Sequence, residues 1–274
     1  MALCISALSN PAQNVSVDFN TPGQLANQFN IYQNATPGLG SPYAQYPIGG
    51  LGDGGAVAVL PGATNVTPDA TAIFKNQSLD FSSAGAQLNI SEYINVVAQT
   101  GSGNRLLQLG FVNENTSGMN GNNGLAFMSL RLSTVGASGN IYTPAYQDKM
   151  SAGSTVNTSL SPNVTLTPGD WYRLSGSFLN LGGGKFEVSG LLEDYGPAGI
   201  SSPVTVFTFA PQDFTNTEIT SDAAVWAAFR SFHADGANAL DNFTAQVVPE
   251  PGVLTLCIAG FLGLGCWFRA GRRN

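Results

Sequence analysis

Two stretches of strict alternation, "WYRLSGSFLN" from 171 and "KFEVSGLLED" from 185, constrain this chain more than any other feature. In the first, Tyr172, Leu174, Gly176 and Phe178 alternate with Arg173, Ser175 and Ser177. In the second, Phe186, Val188, Gly190 and Leu192 alternate with Lys185, Glu187, Ser189 and Glu193. Successive side chains of a strand point to opposite faces, so each stretch is a strand with one apolar and one wet face. The link "LGGG" at 181–184 closes the two into a hairpin.

Further strand signals fall at 15–19, 28–33, 56–60, 70–75, 87–98, 105–113, 125–132, 204–209, 225–232 and 239–247, with turn signals between them. About a dozen half-buried strands predict an all-β, two-sheet antiparallel jelly-roll sandwich over residues 10–248. Two long segments, 33–55 and 133–157, carry no strong periodicity and read as loops. Each holds a tyrosine pair, Tyr43 with Tyr46 and Tyr142 with Tyr146. Aromatic rings in loops stack on sugar faces, which makes these four the candidate ligand-binding residues; the alternative is that they pin their loops to the sandwich.

The chemistry available is narrow. Net charge is −7, and three of the 10 basic residues sit in the last six positions, so the rest is more acidic still. Nucleic acid is excluded as a partner by that balance. The only cysteines are Cys4, Cys257 and Cys266, which leaves the sandwich without a disulfide or thiolate metal site. A single histidine, His233, rules out a histidine metal cluster, and no Gly-x-Ser-x-Gly elbow accompanies it. "GLGDGG" at 50–55 lacks the strand and helix that a dinucleotide loop needs. A glycosidase needs two facing carboxylates, and no such pair stands out. Glu92 interrupts the apolar row Leu88, Ile90, Ile94 and Val96, where an inward acid is costly unless it is paired or the strand bulges. These observations predict no catalytic residue and no enzyme.

The chain closes with "VVPEPGVLTLCIAGFLGLGCWFRAGRRN". The uncharged stretch 252–268 has 17 residues, a helix of roughly 26 Å against a hydrocarbon core of about 30 Å. Arg269, Arg272 and Arg273 follow and hold the cytoplasmic side, which puts the body outside the inner membrane. Val248-Pro249-Glu250-Pro251, the apolar stretch and the basic end together resemble the PEP-CTERM sorting signal of bacterial exported proteins. The resemblance implies processing by an exosortase, a transient membrane anchor at 249–274, and final placement at the cell surface or in an extracellular matrix. The opening "MALCISALSNPAQ" resembles the end of a secretory signal, with 1–9 as its remnant.

"VSVDFN", the 171–196 hairpin region and "ALDNF" resemble concanavalin-like and laminin-G-like jelly rolls. In that family an aspartate of the last strand and an acid near the first strand hold a structural calcium; Asp241 and Asp18 are the matching positions. The alternative is that Asp241 bonds backbone at the start of its strand. No other cofactor is implied. The expectation is a sorted, surface-displayed or biofilm-matrix sandwich without catalytic activity. The alternative is a calcium-assisted, lectin-like module binding exopolysaccharide, with a polysaccharide hydrolase a distant third.

Overall fold

A computed structural model describes residues 13–33, 43–59, 69–97, 106–119, 124–135, 140–232 and 239–248. Among the described residues, sixteen strands form two antiparallel sheets. They are β1 Asn14–Val17, β2 Phe29–Gln33, β3 Tyr43–Tyr46, β4 Ala56–Val59, β5 Asp69–Phe74, β6 Gln87–Asn95, β7 Leu106–Val112 and β8 Phe127–Thr134, then β9 Ile141–Lys149, β10 Val156–Ser159, β11 Val164–Thr165, β12 Trp171–Gly182, β13 Lys185–Asp194, β14 Val204–Thr215, β15 Trp226–Phe232 and β16 Ala239–Val248. The first sheet runs β14-β13-β12-β6-β16-β4-β3, with β1 also on β16; the second runs β10-β9-β8-β7-β15-β5-β2, with β11 on β9.

The hairpin read from the sequence is β12 and β13, with Gly176 directly opposite Gly190. Both glycines face the core, and Leu130 of the second sheet plugs the space they leave. A methyl group at Gly176 would sit 2.8 Å from Leu130 Cδ1, and one at Gly190 would strike the Ser175 carbonyl. Gly190→Val is therefore expected to destabilise the fold by about 1–3 kcal/mol, read by denaturant melting with an unchanged m-value.

Inner faces alternate as the pattern requires: β6 is buried at every second residue. Phe29 lies at the centre of one end of the core, its ring 5.4–5.9 Å from those of Phe19, Phe74, Phe229 and Phe243. A second aromatic group joins Tyr146, Phe209, Phe214 and Phe186.

Four strands, β3, β9, β10 and β11, fall within or just beyond the segments that read as loops. β9 is buried on nearly every residue from Pro144 to Lys149, so the period-two signal vanishes there. Pro144 also argues against a central strand. On one flank of β9, β10 pairs residues 145–148 and β11 pairs 141–142, and Pro144 sits at the change of partner, where its missing N–H breaks no ladder. Two short helices, α1 Gln24–Gln28 and α2 Thr217–Thr220, and a 3-10 turn at Leu51–Asp53 complete the described elements. Among the described residues no helix is long and apolar enough to cross a membrane; the stretch 252–268 lies outside them, as does 1–9.

Candidate functional site

The wet face of the hairpin is part of a larger surface. Across the first sheet, register aligns Ser16, Thr244, Ser91, Ser175, Leu191 and Thr208 in one row. A neighbouring row holds Asn14, Gln246, Asn89, Ser177 and Ser189. These short side chains leave a hollow of about 760 Å³ on the outer face, spanning β1, β16, β6, β12, β13 and β14. Six strands at about 4.8 Å spacing make a trough roughly 24 Å long. Its lining mixes hydroxyl and amide side chains with apolar ones such as Leu191 and Pro211; Ser91 and Thr244 share a hydrogen bond of 2.8 Å, and Asn89 Oδ1 accepts from Gln87 at 2.9 Å. None of its described lining residues is acidic.

Arg173 lines one side of the trough and donates Nε and Nη2 to Glu193 Oε2 at 3.1 and 2.6 Å. Its guanidinium carbon lies 6.0 Å from the Tyr93 ring centre and 5.7 Å from that of Tyr195, and the two rings meet edge to face at 5.1 Å. Burial, then the neighbouring Tyr93, pushes the Tyr195 phenol up to about 12, so it stays a neutral hydroxyl. Donors and acceptors on a rigid sheet, with an ion-paired arginine and aromatic rings along one side, suit a sugar chain.

The four loop tyrosines do not form a groove. Tyr43 is buried; its hydroxyl donates to the Ala70 carbonyl at 2.7 Å and accepts from the Ser231 N–H at 2.9 Å, tying the two sheets together. Tyr142 and Tyr146 are also buried, with Tyr146 donating to the Ala210 carbonyl. Only Tyr46, at 42% exposure, reaches solvent. The pinning alternative describes the three buried rings, and the expectation of a stacking surface built from these tyrosines is corrected: the side chains needed to close the sandwich took them inward.

Asp241 lies where β16 changes partner from β4 at 239–240 to β1 at 243–246. Its Oδ2 accepts from the Leu51 N–H and its Oδ1 from the Asn242 N–H, each at 2.7 Å. Burial pushes its carboxyl up to about 6 against those two N–H groups, and the Asp18 charge adds to the rise. Asp18 is exposed and held by Asn20 and Gln24. Calcium wants six to eight oxygen ligands. With both Asp241 oxygens met by backbone donors, and no group of three His, Cys, Asp or Glu side chains placed to hold a metal among the described residues, this pair does not fit the ion. Asp241 instead secures the 50–55 turn, as the backbone-bonding alternative has it.

Glu92 faces inward as the alternation requires, and of the two ways to accommodate it a bulge is not present in β6, whose register with β12 is unbroken from 87 to 95. The irregularity is in β16, between Asp241 and Thr244. Of the sorting motif only Val248 is described, as the last residue of β16; Pro249, Glu250, Pro251, Arg269, Arg272 and Arg273 lie outside the described residues, as does His233.

No family model and no curated protein matches the chain. Solved structures do. An endo-1,3-beta-glucanase from Streptomyces sioyaensis aligns over 89% of this chain and 99% of its own, with 11% identity and a TM-score of 0.48. Peanut lectin aligns over 86% and 99%, with 10% identity and a TM-score of 0.46. The CBM2 module of the evolved Dit protein from Lactobacillus casei BL23 phage J-1 aligns over 86% and 96%, with 14% identity and a TM-score of 0.47. At such scores the architecture rests on the strand pairings above, and no site or activity transfers.

Sequence reasoning missed the trough because each of its residues is an ordinary wet-face residue of its own strand. The signal was present in one respect: the outward positions Ser175, Ser177 and Ser189 are small and uncharged where a plain solvated face carries lysine and glutamate.

Proposed function

We propose that this protein is an exported, surface-displayed glycan-binding module without catalytic activity. The observation that carries the reading is the open 760 Å³ trough, along which two rows of mostly hydroxyl and amide side chains run beside apolar ones such as Leu191. Its shape suits an extended, uncharged polysaccharide, whose ring hydroxyls replace water on those rows while a ring face packs at Tyr93 or Tyr195. A purely structural matrix role leaves such a hollow unexplained. The reading of binding without cleavage rests on the sequence, in which no facing carboxylate pair stands out.

Export and anchoring rest on the tail. In this reading an exosortase recognises Val248-Pro249-Glu250-Pro251 while 252–268 spans the inner membrane and Arg269, Arg272 and Arg273 stay inside. The sandwich then meets the exopolysaccharide of its own cell.

The test is affinity electrophoresis of the full-length chain, in neutral detergent, through gels containing a neutral glucan, galactan or xylan. Retardation by at least one of them is expected. Ser175→Trp, which fills the middle of the floor, should weaken it at least tenfold while moving stability by less than about 0.5 kcal/mol, as surface changes do. Chelator should change nothing. Free migration of the folded chain through all three gels would refute the reading.

A further inference from the structure

Register fixes the end of the sandwich from which the tail leaves. Val248, the last residue of β16, lies level with Gln87 of β6, and Gln87 lies level with Leu179 of β12. β16 and β12 are both antiparallel to β6, so they run the same way. β12 continues past that level through Asn180 and Leu181 to Gly182, which pairs with Lys185 of β13. Three residues of strand make an overhang of roughly 10 Å beyond Val248.

The overhang is held firmly. Asn180 is buried, and its Nδ2 donates to the Phe81 and Thr220 carbonyls at 2.6 and 2.9 Å. Gly184 lies so close to α2 that a methyl group there would come within 2.6 Å of Thr217 Cγ2. α2 in turn holds the turn after β9, where the Ser151 N–H donates to Glu218 Oε2 at 3.1 Å. Hairpin tip, α2 and that turn therefore form one surface. Leu181, ejected where the register of β12 and β13 shifts, is 43% exposed, Met150 is 40% exposed, and Lys185 at the tip is exposed. The described part of the segment after β7 does not cover them: it folds back on β2 and β5, where Tyr32 Oη donates to the Asn115 carbonyl and the Met119 N–H donates to Thr71 Oγ1.

Only Pro249, Glu250 and Pro251 separate Val248 from the uncharged stretch 252–268. Fully extended, the four steps from Val248 to Gly252 span about 14 Å. With the strands along the membrane normal, the overhang brings the hairpin tip to within about 4 Å of the level of Gly252, and the headgroup layer is itself about 5–7 Å thick.

We infer that, while the tail spans the membrane, the tip of the β12/β13 hairpin and the turn after β9 rest in the phospholipid headgroups. Leu181 and Met150 point to the acyl boundary, and Lys185 keeps its ammonium among the phosphates. This rests on the anchoring part of the proposed function. It also orients the trough, which crosses the same strands at Thr244, four residues back from Val248. A bound polymer then lies parallel to the membrane, about 14 Å above the end of β16.

The experiment uses the full-length chain with Cys4→Ser, Cys257→Ala and Cys266→Ala. One fluorophore is placed on Leu181→Cys or, at the far end of the strands, on Ser202→Cys, an exposed position just before β14. The chain is reconstituted in vesicles of phosphatidylethanolamine and phosphatidylglycerol that contain a headgroup spin-labelled lipid. Quenching of the label at position 181 is expected to be severalfold stronger than at 202. A label on Met150→Cys should match the one at 181, and it decides the matter should Leu181→Cys fail to fold. Flotation with the vesicles after an alkaline wash reads the tail alone. A chain that floats while the labels at 181 and 150 are quenched no more than that at 202 overturns the inference and leaves the anchor standing. A chain that does not float refutes the anchor and the inference together. The neutral gels read the trough independently of both.

Discussion

Phe29→Ala is expected to cost about 3–5 kcal/mol, the usual range for deleting a fully packed aromatic ring. Phe29 is 2% exposed, on the edge strand β2. It nevertheless touches both sheets, because Phe74 and Phe229 belong to β5 and β15 of the second sheet and Phe243 to β16 of the first. Phe19, which follows β1, stacks on it at 5.9 Å. Four rings thus lose a neighbour at once, and none can refill the space without leaving its own strand position. For a domain of this size, 2–4 °C are lost per kcal/mol, so the melting temperature should fall by roughly 10 °C. Calorimetry on the full-length chain measures it. A fall of less than about 3 °C would mean that this end of the core collapses around the gap, contrary to the close packing seen in the rings.

The sequence showed its architecture wherever one face of a strand is wet. β12, β13 and β6 alternate because their outer faces meet the trough, and the period-two rule finds them. β9 has no such contrast, and its tyrosines, seen only as aromatic residues in an irregular stretch, passed for exposed loop residues. Tyr142 and Tyr146 stand four apart, and on a strand that spacing means the same face; both side chains enter the core. The trough depends on which strands become neighbours. Ser91, Ser175 and Thr244 are far apart in the chain and meet only through the β12-β6-β16 order, which no single-strand pattern contains. Asp241 stands out in the sequence as a calcium position or a backbone-bonding acid, and its partners are the Leu51 and Asn242 N–H groups, whose direction a sequence does not display.

Replacing Glu92 should make the protein more stable. Its side chain is 3% exposed, inside the row formed by Leu88, Ile90 and Ile94, and Oε1 accepts no hydrogen bond among the described residues. Burial, and then the charge of Asp241, raises its pKa well above the ordinary 4.5. A group whose folded pKa lies above its unfolded one adds stability that is complete below the unfolded value and is lost as pH rises through the folded one. Asp241 and Asp148, each pushed up to about 6 chiefly by burial, act in the same direction between about pH 4 and 6. The wild-type melting temperature should therefore fall from pH 5 to pH 8. Glu92→Leu keeps the apolar row and removes a buried carboxyl whose ionisation the site opposes, and a gain of about 1–3 kcal/mol at pH 8 is expected. The gain should shrink as pH falls toward the ordinary carboxylate range, because the raised pKa favours the neutral wild-type carboxyl there. Calorimetry at pH 5, 6.5 and 8 separates this from a plain packing effect, which would shift all three points equally. If Glu92→Leu melted below the wild type at pH 8, the ionised carboxylate would have to be engaged in a stabilising contact, and the inward acid would be part of what holds β6 against β16.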